Sequence, residues 1–201
     1  MIFEINIIDK IKKYFFFRTP LIQINVQPIL TNLKVLDIGG GGAGVIGRMM
    51  PNNNLYIVDR SESELRDAEE KGAKGNLVVG DARKLKYPSN YFDAITIFFS
   101  LMYIRGFKNK RAVIKESYRV LKKGGKMYIW GAIIPYPSLI YWINLIIHSK
   151  KNKIETGYIV SGINNIQTYD LIKKIIEDVG FEIKTVLVYP YWFFFELEKN
   201  I

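Results

Sequence analysis

From Lys34 onward, short apolar runs alternate with segments whose apolar residues recur at helical spacing. Apolar runs bounded by glycine, proline or asparagine predict strands, and a recurrence every three to four residues predicts helices. On that rule "KVLDIG", "NLYIVD", "GNLVVGD", "FDAITIFF" and "KMYIWGA" are five successive strands. Between them, "VIGRMMP" begins a helix that Pro51 closes, and "SESELRDAEEKGA" is a helix capped by Ser61 or Ser63 and ended at Gly72. "KRAVIKESYRVLKKGG" is a helix with a glycine stop. A late helix, "TYDLIKKIIEDVGF", is capped by Thr168 and stopped at Gly180. Two strands follow, "EIKTVLVYP" and "YWFFFELEK", joined by a turn alone. The alternation predicts an α/β domain, a mostly parallel sheet covered on both faces, with the final pair antiparallel at one end.

Two segments depart from this rhythm. "MIFEINIIDKIKKYFFFRTP" mixes charged and apolar residues throughout, unlike a secretory signal, and reads as an amphipathic helix. "MYIWGAIIPYPSLIYWINLII" is the longest apolar stretch, but Pro135 and Pro137 divide it into a strand and a separate helix, against a membrane span. That second helix, within "PYPSLIYWINLIIHSKKNK", is apolar nearly all round and has a basic tail. It reads either as a lid packed on the domain or as a helix at a membrane surface, with Tyr141 and Trp142 near headgroups. His148 reads as a cation at its end.

Composition narrows the chemistry. The 201 residues contain no cysteine and one histidine, which excludes disulfides, thiolate nucleophiles and a multi-histidine metal site; no metal is expected. Net charge is +10, and Arg105 to Lys126 holds nine basic residues against Glu116 alone. A solvated helix face is the expected reading of this run, ahead of an anionic partner. No zinc-finger, RNA-recognition or P-loop pattern supports nucleic acid as that partner, while peripheral membrane contact stays open. A cytoplasmic protein is expected.

The candidate chemistry gathers at "VLDIGGGGAGVIG", where six of nine positions from Gly39 to Gly47 are glycine. A tight turn needs one or two. Gly39, Gly41 and Gly44 fit G-x-G-x-x-G, and Asp59 lies 20 residues after Gly39 at a strand end, which alone is a dinucleotide fingerprint. Asp37 opposes that reading. At ~5 Å and an effective dielectric of about 20, a carboxylate beside a diphosphate costs roughly 3 kcal/mol per charge pair. A cationic sulfonium cofactor turns the same group into an asset. Asp81 ends the third strand, where it can accept from an adenine amino group, with Ala82 leaving room for a flat ring.

Together these motifs resemble the class I S-adenosylmethionine-dependent methyltransferases, in the branch of the ubiquinone/menaquinone-biosynthesis C-methyltransferases. The similarity runs from about Lys34 to Gly131, through "VLDIGGGGAG", "LYIVDRS", "GDARKLKYPSNYFDAI" and "SYRVLKKGGKMYI". It implies a Rossmann-like methyltransferase fold, with seven strands, the last antiparallel, and helices on both faces. It implies that Asp37 orders the loop and helps hold the methionine amino group, with Gly39 and Gly41 against the methionine moiety. Asp59 would bind the ribose hydroxyls, Asp81 adenine, Arg60 and Ala82 the ring's faces, and Phe98 the cofactor's inner side. Ala43 stands where the third motif glycine is usual, and Lys123 replaces a proline. Tyr103 occupies a position where many relatives carry histidine and is the candidate catalytic residue.

The expected organisation is a single domain: an N-terminal helical cap (1–33), a cofactor-binding core (34–134), a lid insertion (135–166), and the last helix with two strands (167–201). The expected reaction is in-line methyl transfer to a small hydrophobic acceptor, which needs alignment and exclusion of water more than acid–base groups. Two other readings remain: an NAD(P)-binding oxidoreductase, and a non-catalytic protein binding nucleic acid or a membrane surface on a methyltransferase scaffold. The sequence leaves the oligomeric state open.

Overall fold

The computed structural model describes residues 14–26, 32–50, 54–149, 152–161 and 165–200. Its strands are β1 (Phe16–Asn25), β2 (Val35–Ile38), β3 (Leu55–Asp59), β4 (Asn76–Val79), β5 (Phe92–Phe98), β6 (Leu121–Ala132), β7 (Ile140–His148), β8 (Lys153–Ser161), β9 (Phe181–Val188) and β10 (Trp192–Lys199). The helices are α1 (Val45–Met49), α2 (Glu62–Glu70), α3 (Phe107–Val120) and α4 (Tyr169–Val179), with a 3-10 turn at Leu101–Tyr103. Seven strands form one sheet in the order β4-β3-β2-β5-β6-β10-β9. All its pairings are parallel except those of β10, which runs antiparallel to both β6 and β9. The expected sheet is therefore present, with its last strand reversed.

One face of this sheet packs Ile95, Ile97, Met127 and Ile129 against Val113 and Ile114 of α3 and Ile172, Ile175 and Ile176 of α4. The other face packs Val35, Leu55, Ile57 and Trp130 against Val45 and Ile46 of α1 and Leu65 and Ala68 of α2. Tyr141, Ile143, Leu145 and Ile147 complete that second layer, and all four come from one strand, β7.

This is the main departure from the sequence expectation. Residues 140–148 are not a helix but β7, the centre of a second sheet ordered β1-β7-β8. β1 lies parallel to β7, from Phe16 opposite Ile140 to Asn25 opposite His148, and β8 lies antiparallel on β7's other side. Tyr141, Ile143, Leu145 and Ile147 are buried while the intervening residues face outward, a strict period of two. Isoleucines on both faces hid that period from a helical reading. The expected N-terminal helical cap is likewise a strand from Phe16, with Ile22 and Ile24 inward; residues 1–13 lie outside those described. His148 ends a strand, with its Nε2 3.2 Å from Gln23 Oε1, rather than a helix.

Smaller features follow the sequence more closely. Ser61 caps α2 by accepting from the Glu64 N–H, and Thr168 caps α4 by accepting from the Leu171 N–H. α3 ends at Val120, before its expected glycine stop, because Leu121 is fully buried and pairs with Phe92. The expected closure of α1 at Pro51 lies outside the described residues. Gly131 sits opposite Phe193, and a Cβ there would overlap the Phe193 ring. Gly131→Ala is expected to destabilise the fold by about 1–3 kcal/mol through overpacking, read as a lower urea midpoint at unchanged slope.

Candidate active site

The carboxyl ends of β2, β3, β4 and β5 meet at a cavity of about 830 Å³, roofed by residues 155–159 of β8. This is the place where parallel α/β sheets bind ligands. Gly39, Gly41, Asp59, Arg60, Asp81, Ala82 and Phe98 all line it, as does Tyr103. Three carboxylate-bearing positions were expected at three strand ends; two of the three, Asp59 and Asp81, face the cavity.

Asp37 does not. Its side chain lies beneath the glycine loop, buried, with Oδ1 accepting from Thr96 Oγ1 at 2.7 Å across the β2–β5 pair. Burial raises its pKa to about 7 against the lowering by Thr96, and nearby Asp59 adds to the rise. Asp37 is thus placed to brace the loop, and it is not among the residues that line the cavity. Its charge at neutral pH is also weaker than a free carboxylate's, so repulsion from Asp37 is a smaller obstacle to a diphosphate than the sequence implied.

The loop itself supplies a stronger discriminator. The Gly39 N–H donates to Val58 O at 2.7 Å, the Gly41 N–H to Asp59 Oδ2 at 3.3 Å, and the Gly42 N–H to Glu64 O at 2.7 Å. A diphosphate cradle relies on free amide N–H groups aimed at the anion. Here those three are consumed within the protein, and Glu64 and Asp67 add carboxylates to the same wall. At Gly39, φ is +69° and a Cβ would overlap Ser100, whose Oγ donates to Ile38 O at 2.5 Å. Only glycine fits.

Asp59 uses Oδ1 to accept from the Ser61 N–H at 3.0 Å, which holds the β3–α2 turn. One bond to each oxygen leaves lone pairs for vicinal hydroxyls. Asp81 is held down to about 2 mainly by hydrogen bonds from the Arg83 guanidinium, against the effect of burial. Arg83 Nη2 lies 2.6 Å from Asp81 Oδ2, and its Nη1 donates to Asn109 Oδ1 at 3.2 Å. An ionised Asp81 retains capacity for one amino donor. Ile38, Val58, Ala82 and Phe98 supply apolar walls between these carboxylates. The donor set and the cavity's shape therefore suit an adenosine carrying a zwitterionic tail.

Sequence reading missed several lining residues. Arg83 and Ser100 lie two residues beyond the strand-end residues Asp81 and Phe98, and Glu64 sits in the first turn of α2, so neighbouring motifs could have drawn attention to them. Tyr158 had no such signal, because it comes from the unforeseen β8. Its ring stacks on Phe99 at 5.9 Å between centroids, and burial pushes its phenol well up. Lys110 is a further surprise: fully buried in α3, it donates to Leu101 O at 2.6 Å and to Gln167 Oε1 at 3.0 Å, and so braces the 3-10 turn that carries Tyr103. Burial lowers its pKa to about 7.

Residues 36–129 match the family described as Methyltransferase domain. The chain is 29% identical over 164 residues to the demethylmenaquinone methyltransferase of Thermotoga maritima, an alignment covering 75% of this chain and 70% of that one. It is 29% identical over 165 residues to the ubiquinone/menaquinone biosynthesis C-methyltransferase of Chromobacterium violaceum, covering 74% of this chain and 66% of that one. The chain thus spans only part of either relative's length. An S-adenosylmethionine-dependent methyltransferase from Mesorhizobium loti shares the fold, with a TM-score of 0.64, 16% identity, and coverage of 85% of this chain and 93% of that one. Glycine loop, strand-end carboxylates and these similarities converge: together they support a class I S-adenosylmethionine-dependent methyltransferase that resembles the ubiquinone/menaquinone C-methyltransferases.

Proposed function

We propose that this methyltransferase acts on a small hydrophobic acceptor of the quinol type by in-line displacement, in the cytoplasm. The observation that carries the reading is that one cavity is lined by both carboxylates and aromatic or apolar side chains. Asp59 and Asp81 come to it from the carboxyl ends of the parallel strands, and Tyr103, Tyr158 and Ile159 from the 3-10 turn and β8. The first wall suits hydroxyl and amino donors; the second suits a flat apolar body with a polar handle. S-adenosylmethionine supplies a methyl group on a positively charged sulfur, already activated for displacement.

On this reading, the chain's own residues bind, align and exclude water. Asp59 and Asp81 fix the nucleoside, Asp37 and Ser100 keep the loop in shape, and β8 covers the cavity from solvent. Tyr103 orients the acceptor rather than deprotonating it. Although 48% of Tyr103 is exposed, desolvation of its phenol and the charge of Glu64 push its pKa up to about 12, against the Ile159 N–H, which lowers it. A phenol that stays protonated at neutral pH donates a hydrogen bond. Tyr103→Phe is therefore expected to lower kcat only about ten-fold, with the pH–rate profile unchanged; loss of ~10²–10⁴ with disappearance of one limb would mark a general base instead.

The testing assay uses methyl-labelled cofactor with a demethylmenaquinol-type acceptor and, separately, polar catechols and amines. Label transferred to the quinol in preference to the polar acceptors is the expected result. Exclusive transfer to a polar amine overturns the acceptor class.

A further inference from the structure

We propose that the outward face of the three-stranded sheet β1-β7-β8 docks on an anionic lipid bilayer. The registers align outward side chains in rows across the three strands. The first row is Phe16, Ile140 and Ser161; the second is Arg18, Trp142 and Ile159; the third is Leu21, Asn144 and Gly157. Phe16, Leu21, Ile140 and Ile159 are exposed to between 40% and 59%, where a solvated sheet face normally alternates to polar residues. Phe15 and Leu139 extend the apolar area at the same end. This is a contiguous patch rather than a scatter of single residues, and such patches mark interaction sites.

Charge selects the occupant. These three rows hold no acidic residue, and Glu155 appears only in the next row, opposite Ile146. Arg18 lies over the Trp142 ring at 4.3 Å, a pairing of aromatic body and cationic head that suits the boundary between acyl chains and headgroups. Arg105 approaches the Ser161 carbonyl at the apolar end, and the exposed Lys108 follows in α3. The net charge of +10 acts in the same direction.

The patch also adjoins the cavity. Ile159 belongs to both, and Tyr103 and Arg105 line the cavity beside it. A bilayer seated on this face would deliver an apolar acceptor to that wall without passage through water. That purpose rests on the acceptor class proposed above; the docking itself does not.

The test is co-sedimentation of the intact chain with vesicles that contain no acceptor, either pure phosphatidylcholine or with about 30% phosphatidylglycerol. Binding about ten-fold stronger to the anionic vesicles is expected, weakening as salt is raised. The double variant Phe16→Ser, Ile140→Ser is expected to lose this binding about ten-fold, with unchanged S-adenosylhomocysteine affinity and circular dichroism. Equal vesicle binding by both proteins overturns the proposal. So does absence of vesicle binding, or a size-exclusion mass that doubles in the parent chain but not in the variant, which would make the face a contact between two copies. Vesicle binding alongside failure of the quinol assay would refute the acceptor and leave the docking intact.

Discussion

Asp59→Ala is expected to weaken S-adenosylhomocysteine binding by about 100-fold or more. Two hydrogen bonds from ligand hydroxyls to a charged acceptor contribute about 1.5–3 kcal/mol each, and every 1.4 kcal/mol is about ten-fold in affinity. The same substitution removes the acceptor for the Gly41 and Ser61 N–H groups, so the loop loses its tie to β3. Asp59→Asn separates the two effects, because its remaining oxygen can still accept one backbone bond while its amide nitrogen cannot accept a hydroxyl. Calorimetric titration is expected to rank parent, Asn and Ala in descending affinity, with all three folded by circular dichroism. Unchanged affinity in the Ala variant would remove Asp59 from the site.

Asp37→Asn is expected to stabilise the ligand-free protein above neutral pH. Burial pushes the carboxyl up to about 7 in the fold from its ordinary value of 3.8. At 1.36 kcal/mol per unit, the difference corresponds to at most about 4 kcal/mol. Because the folded-state value is raised, this contribution to stability is fully present below pH 3.8 and is lost as pH rises through about 7. The Asn variant keeps an acceptor for Thr96 and has no such loss, so its urea midpoint is expected to exceed the parent's at pH 8 and to converge with it at low pH. A cationic ligand near the loop favours the ionised form of Asp37. Cofactor affinity in the parent is thus expected to rise with pH up to about 7, a dependence that Asn abolishes. An Asn variant less stable than the parent at pH 8 would show that the loop needs the charge itself.

The core of the fold was legible because its elements are local and strongly marked. Glycine ends β2, Ser61 and Thr168 announce their helices, and five apolar runs of strand length succeed one another. The reversed β10 followed from the short Tyr189-Pro190-Tyr191 turn between strands that no helix separates. The second sheet was hidden for a physical reason. β7 buries one face in the core and exposes isoleucine and tryptophan on the other, so its alternation of inward and outward residues leaves little trace in hydropathy. β1 pairs with a strand more than a hundred residues away, a partnership no local window contains.

The site shows the same division. Asp59, Asp81, Ala82 and Phe98 could be placed at a common cavity because strand ends converge in any parallel sheet. The side-chain direction of Asp37 could not, since it depends on Thr96 from a neighbouring strand. The occupied amides of Gly39, Gly41 and Gly42, more than Asp37, therefore disfavour a diphosphate. Tyr158 escaped notice entirely because it reaches the cavity from the second sheet.

Calorimetric titration of the unmodified chain with S-adenosylhomocysteine and, in parallel, with NAD distinguishes the two cofactors. The structure predicts saturable binding of the thioether at one site per chain, and no measurable heat from the dinucleotide, because the N–H groups of Gly39, Gly41 and Gly42 are already occupied within the protein. Tight binding of NAD, with none of S-adenosylhomocysteine, would contradict it.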